Sequence, residues 1–391
     1  MVMPMQERRN VYMDYAATTP VDPRVVETMR VYLGPDGVFA NPSSTAHAAG
    51  RAAHAAVEMA RAAVAGVLNV LPETIVFTSG ATEADNLAIK GAAHANAKRG
   101  RHIITEKTAH KAVLDSCKAL ERKSFEVTYL VPDANGIISP RILADALRDD
   151  TVLVALLHAN NETGVVQDLA ALAQTVRRSG ALFHVDAAQS AGKLPLDIDR
   201  LDLDLVAFSA HKIYGPKGAG ALYVRNGVRL EPLQHGGGHE RGLRAGTLAT
   251  HQIAGFGKAF ALAAAERDEE MARLAGMRER LWQGLSVAGE IFLNGDPVRR
   301  LPNILNVSVA GVDGESLQLA LRDIACSAGA ACNSASREPS YVLRTLGRDD
   351  RLAGASLRFS LGRWSSESDI DYVVQRFGHE VARLRSLAGA A

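Results

Sequence analysis

Along the first two-thirds of the chain, hydrophobic and polar positions fall into a repeating order. A short, nearly continuous apolar run is followed by a longer stretch with helical spacing of its apolar residues. The runs predict strands at 75–78, 102–105, 126–130, 151–157, 182–185, 205–209 and 219–224. Helices are expected between most of them, at 82–99, 111–122, 140–147 and 169–179. A strand that is apolar at every position is covered on both faces, and alternation with helices supplies that cover over parallel strands. The expected fold class is therefore α/β, with a mostly parallel seven-stranded sheet covered by helices.

Beyond residue 250 the pattern changes. An Ala-, Glu- and Arg-rich stretch over 254–284 predicts one long helix or two. Shorter pieces follow at 304–309, 316–321 and 357–360, then an amphipathic helix over 367–387. These predict a smaller α+β domain. The expected division is a large domain over 18–265 and a small one built from 1–17 and 266–391, with the cut inside the long helix.

Composition narrows the partners. The chain has 391 residues, 47% hydrophobic and 22% charged, enough to bury a core without disulfides. Forty-four basic side chains against 43 acidic ones leave a net charge of +1. A near-neutral protein has no global field to hold nucleic acid or an anionic membrane, so neither is expected as a main partner. The longest apolar runs, 152–157 and 259–265, fall far short of the roughly 20 residues that span a bilayer. The first ten residues lack a signal peptide's apolar core. Three cysteines, Cys117, Cys326 and Cys332, are too few and too badly spaced for a disulfide framework or a structural zinc site. Free thiols fit a reducing compartment, so a cytoplasmic protein is expected.

Several short segments carry chemistry. In Ser209-Ala210-His211-Lys212 a strand ends and passes into a Gly/Pro turn. A lysine buried there loses proton affinity and becomes a nucleophilic amine able to form a Schiff base, whereas a solvated one is an ordinary turn lysine. Asp186 ends a strand 26 residues earlier, where α/β sheets collect ligands. It suits the ring nitrogen of a pyridoxal group, and equally a helix cap. Around Thr78-Ser79-Gly80-Ala81-Thr82 a strand turns into a helix, whose unpaired N–H groups make a phosphate seat or an ordinary cap with Ser79 as the capping residue. Neither GxxxxGK[ST] nor GxGxxG occurs, which weighs against a nucleotide. His110 can stack on a ring and move protons, or simply start a helix. Cys332 lies among small residues over 327–336 that predict a mobile loop, where a thiol has no packing task. Cys326, beside Ile324 and Ala325, better fits a small core residue. Arg358 on a small-domain strand can grip a carboxylate or make an ion pair. His235 and His239 flank three glycines with no acid between them, which suits a hinge or interface loop better than a metal site.

Taken in order, these segments resemble the class V, fold-type I pyridoxal-phosphate enzymes, and within them the cysteine desulfurases of the IscS/NifS type. The likeness runs through 13–20, 41–44, 79–86, 158–164, 186–189, 209–218, 236–247 and 331–341, nearly the whole chain. It implies pyridoxal 5'-phosphate carried on Lys212, with Asp186 at the ring nitrogen, Gln189 at the ring hydroxyl and His110 stacked on the ring. Ala81, Thr82, Ser209 and His211 would hold the phosphate, with Thr247 reaching the neighbouring subunit's phosphate in a homodimer. Asn161 would contact cofactor and substrate, and Arg358 the substrate carboxylate. Cys332 would take the sulfur of L-cysteine as a persulfide, leaving L-alanine, and pass it to an iron–sulfur scaffold or a thiolation carrier. No resident metal is implied, Cys332 being at most a transient cluster ligand. The chain stops at Ala391, short of the tail that housekeeping members use to dock the scaffold, and Cys326 is an extra thiol near the reactive loop. A class V aminotransferase, a selenocysteine lyase and a non-catalytic sulfur carrier are the competing readings.

Overall fold

The computed structural model describes residues 9–328 and 338–389, so Cys332 lies outside the described residues. Seven strands form the large sheet: β1 (Ile75–Thr78), β2 (His102–Glu106), β3 (Glu126–Leu130), β4 (Thr151–Leu157), β5 (Leu182–Asp186), β6 (Leu205–Ser209) and β7 (Gly220–Val224). Their order across the sheet is β1-β7-β6-β5-β4-β2-β3. Only β7 is reversed, lying antiparallel to β1 and β6, while the other pairs are parallel. The reason is chain length: the link over 210–219 is too short for a crossover between parallel strands. β2 and β5 each run one residue further than expected, so Glu106 and Asp186 belong to the sheet.

Helices α1 (Pro23–Arg30), α2 (Ala48–Leu68), α3 (Ala81–Ala95), α4 (Lys111–Glu121), α5 (Pro140–Ala146), α6 (Leu169–Ser179) and α7 (Thr250–Ser286) pack around the large sheet. Strand residues alternate between the two faces. On β4, Val154 and Leu156 join a core with Val57 and Val64 of α2, Leu172 of α6 and Phe256 and Phe260 of α7. Leu153, Ala155 and Leu157 face the opposite core, with Leu87 and Ile89 of α3 and Val113 and Leu120 of α4. Double cover is thus the reason the strands read as unbroken apolar runs.

Sequence reasoning missed α1 and α2. The buried side of α2 is rich in alanine, with Ala53, Ala56, Ala60 and Ala65 beside Val57, Val64 and Leu68, so it offers little hydrophobic contrast. Its ends are well marked: His47 accepts the Gly50 N–H at 3.1 Å, and Asn69 closes the helix in the left-handed region at φ 55°. The small residues serve a close crossing with α7, where a Cβ on Gly257 would lie 2.7 Å from the Ala60 Cα.

The stretch expected as one helix or two is a single helix, α7. Its first half contributes Ile253, Phe256 and Phe260 to the large-sheet core; its second contributes Leu274, Met277, Leu281 and Leu285 to a separate core. That second core lies on an antiparallel sheet of β8 (Ile291–Leu293), β9 (Ile304–Val309), β10 (Ser327–Ala328) and β11 (Ser356–Ser360), ordered β10-β11-β9-β8. The 316–321 piece falls in helix α8 (Gly314–Ala320). Short α9 (Tyr341–Thr345) and the final α10 (Glu367–Gly389) complete the named elements. Among the described residues, no helix is long and apolar enough to cross a membrane.

One buried ion pair fixes a long loop onto the large sheet. Arg61 of α2 donates to both Glu240 oxygens at 2.7 and 2.9 Å and to the Ile75 carbonyl at 2.7 Å, and the Phe77 N–H donates to Glu240 at 2.6 Å. Both side chains are almost wholly buried. Removing one partner leaves an uncompensated charge, so Arg61→Met is expected to cost roughly 3–5 kcal/mol of stability, read by urea denaturation.

Candidate active site

The carboxyl ends of β5 and β6 and the start of α3 open into one cavity of about 530 Å³. Lys212 lies in the turn that follows β6, and its Nζ donates to the Ala16 and Ala17 carbonyls, each at 2.7 Å. The ordinary solvated lysine considered from the sequence is therefore set aside. Asp186, the last residue of β5, is buried in the same cavity, and its Oδ1 accepts the Ala188 N–H at 2.9 Å. Burial pushes its carboxyl above the ordinary range, while His110, the Ala188 N–H and Lys212 pull the other way.

His110 starts a helix, as one of its two readings had it, and it stands in the cavity. It caps α4, its Nδ1 accepting the Ala112 N–H at 3.2 Å, and it lines the cavity. Burial lowers its proton affinity, opposed by Asp186. Gln189 donates from Nε2 to the Ala16 carbonyl at 2.9 Å; its Oε1 is buried with no hydrogen-bond partner among the described residues.

The opposite wall is the start of α3. The N-cap is Gly80, with φ 150° and no side-chain capping bond, rather than Ser79. Ser79 instead donates its N–H to Glu83 at 2.7 Å. The first helical N–H groups thus face the cavity beside Ala81, Thr82, Ser209 and His211. A Cβ on Gly220 of β7 would lie 2.5 Å from the Gly80 Cα, so only glycine lets the turn sit this close to the sheet. His211 faces Thr18 Oγ1 at 3.1 Å and is lowered to about 4 by burial and by Lys212, Lys217 and Lys193.

Asn161 and Arg358 close the remaining side. Arg358, on β11, is buried and donates to the Asn161 carbonyl at 2.7 Å and to Asp14 and Ser327, each at 2.8 Å. The ion pair expected as its alternative role exists, with Asp14, but largely buried rather than at the surface. Thr247 is exposed and does not line this chain's cavity. Its loop is held by Glu240 and by Arg244, which pairs with Glu83 at 2.9 Å. His239 accepts the Gly246 N–H at 3.3 Å within that loop. Cys326 packs against the small-sheet core, and burial pushes its thiol up to about 12. Sequence reasoning missed the Ala16 and Ala17 carbonyls, Thr18 and the buried pair His184–Asp85, in contact at 3.0 Å.

The family model for aminotransferase class-V matches residues 11–373. The chain belongs to the aminotransferase class-V family. It is 57% identical to the cysteine desulfurase IscS of Photorhabdus laumondii subsp. laumondii over 380 residues, covering 97% of this chain and 94% of that relative. A solved NifS-like protein superposes with a TM-score of 0.90 at 38% identity, covering 96% of this chain and all of that one. An SspA solved in complex with cysteine gives 0.80 at 37% identity, covering 91% of this chain and 100% of its own. The family is pyridoxal-phosphate-dependent, and the residues of this cavity fit that group. An uncapped helix start offers N–H groups to a phosphate, a buried carboxyl faces a lysine, and Gln189 Oε1 lacks a partner.

Glu162, next to Asn161, is raised by burial to about 7 although Ser340 donates to it at 2.5 Å. Its folded value lies above the ordinary 4.5, so its ionisation weakens the fold as pH rises from 4.5 through about 7. Glu162→Gln should therefore gain on the parent across that window and level off above it. The gain is on the order of 2–3 kcal/mol, read by urea melts at pH 5 and pH 8.

Proposed function

We propose that this protein is a pyridoxal-phosphate-dependent cysteine desulfurase that converts L-cysteine to L-alanine and carries the sulfur as a persulfide on Cys332. The single observation that supports it most is the meeting of Lys212, Asp186 and an uncapped helix start in one cavity. Lys212 would hold the cofactor's aldehyde carbon, Asp186 would face the ring nitrogen and Gln189 the ring hydroxyl, with His110 against the ring face. The α3 N–H groups with Thr82, Ser209 and His211 would hold the phosphate. When bound, the cofactor supplies an electron sink that acidifies the substrate's Cα–H and weakens its Cβ–S bond.

The protein's own residues do the rest. Lys212, as free amine, takes and returns a proton at Nζ. Asp186, kept from water, holds its negative charge against the ring side of the cavity. Arg358 offers its guanidinium to the substrate carboxylate, with Asp14 and the Asn161 carbonyl setting its orientation. The Cys332 thiolate attacks the substrate sulfur, the Cβ–S bond breaks with its electron pair on carbon, and a persulfide remains on Cys332. In the proposed division, 18–265 carries Lys212, while 1–17 with 266–391 carries Cys332.

A homodimer is part of this reading. Thr247 is exposed on a loop tied to the α3 start through Glu83–Arg244, a position suited to a second copy's phosphate site. The sulfur acceptor is a thiol carrier or an iron–sulfur scaffold protein, and the compartment is the cytoplasm. Free thiols at Cys117 and Cys326 accord with that compartment.

The test is purification with the visible spectrum recorded, then addition of cysteine with alanine assay and mass analysis of Cys332. Cys332→Ser should keep the bound chromophore and lose persulfide and turnover. Lys212→Ala should lose the lysine-linked absorption band. A colourless protein, amino transfer to keto acids, or normal turnover without Cys332 would overturn the proposal. Arg358→Leu should raise KM for cysteine about tenfold or more, with the chromophore retained.

A further inference from the structure

A second lysine, not used above, is buried beside the backbone of Lys212. Lys193 follows the turn after β5, and only 8% of its surface is exposed. The preceding Gly192 sits at φ 71°, where a Cβ would meet Ala263 and Ile213 at 2.8 and 3.0 Å. The chain thus turns tightly inward at this point. Lys193 Nζ donates to the Gln189 carbonyl at 2.9 Å and to the Lys212 carbonyl at 3.2 Å. Its hydrogen-bond partners are carbonyls of the two segments that carry cavity residues, not a carboxylate. A buried ammonium without a paired anion is costly, and an apolar side chain would fill the same volume without that cost.

The charged groups that act on Lys193 are Lys212 from the turn after β6 and Glu270 from α7, while Lys193 itself helps to lower His211 of that same turn. Asp186 and His110 act on Lys212 from the other side. Burial and the Lys212 charge lower Lys193 to about 7, with Glu270 opposing. The two ammonium groups repel each other, so loss of the proton from Lys212 favours a proton on Lys193.

We propose that Lys193 is a positioning residue for Lys212, pinning the Gln189 and Lys212 carbonyls and taking up the positive charge that Lys212 gives up when its amine becomes a free nucleophile. The exchange balances: one ammonium at Lys212 and one amine at Lys193 become one amine at Lys212 and one ammonium at Lys193. This deepens the reading of Lys212 as the cofactor-holding amine, because only the uncharged amine can attack an aldehyde.

The test is competitive acylation of the full chain freed of bound cofactor, with acetic anhydride at pH 7 and Lys212 quantified by peptide mass analysis. Lys193→Met should slow Lys212 labelling about tenfold, since a lone lysine near neutral pH is almost wholly protonated. Lys193→Gln, which keeps a donor but no charge, should label as slowly as Lys193→Met. Lys193→Arg, permanently charged, should label at least as fast as the parent. Thermal melts check each variant's fold; if Lys193→Met does not fold, the Gln and Arg variants decide alone. Labelling of Lys193→Gln at the parental rate would reduce Lys193 to a hydrogen-bonding strut and overturn the proposal. Equal rates in all variants would overturn it too. A chain that binds no pyridoxal phosphate defeats the functional reading instead, and the labelling still reports on the two lysines.

Discussion

Asp186 ends β5 and Lys212 follows β6; where those neighbouring strands stop, the first is buried and the second half-buried. Desolvating a carboxyl and an amine raises the energy of their charged forms, and the surrounding atoms must answer that cost. For Asp186 the answer is the Ala188 N–H, with His110 and Lys212 nearby. For Lys212 it is the pair of carbonyls from Ala16 and Ala17. Those carbonyls belong to an N-terminal segment that is itself held by the small sheet, since Ser360 accepts the Ala16 N–H at 2.8 Å. The two sheets therefore meet in the environment of one lysine.

The same constraint governs the wall made by the start of α3. A helix start without a side-chain cap is an unfinished structure, because its first N–H groups keep their donor capacity. Here Gly80 leaves them open, Gly220 allows the turn to lie against the sheet, and Glu83 secures the neighbouring Ser79 N–H. Arg244 then binds Glu83 and brings the loop that bears Thr247 to the same end of α3. Each contact is ordinary by itself. Their convergence at strand ends sets open helix N–H groups, a buried carboxyl and a lysine around one cavity.

Much of this was legible in the chain. The unbroken apolar strands announced a doubly covered parallel sheet, because strand periodicity collapses when both faces are buried. Lys212, Asp186 and the Gly80 turn stood out because each chemically unusual residue sits at a strand end. The short link over 210–219 carried the reversal of β7 in its length, although that was not drawn from it. Other features left little trace. The alanine face of α2 lacked contrast, and Lys193 resembled any lysine after a glycine. Glu162 and Asp85 carry no mark in the sequence of the burial that neighbouring elements impose on them.

Residue order alone carried the sheet class, the strands and most of the helices, and it marked out candidate side chains such as Lys212 and Asp186, since these follow from local periodicity and from residue type. Burial and pairing came only with the folded chain. Residues hundreds of positions apart, such as Asp14 with Arg358 or Ala16 with Lys212, acquire their electrostatic relation through packing of two sheets. A proton's affinity for a side chain depends on which atoms replace its water, and no local stretch of sequence specifies those atoms.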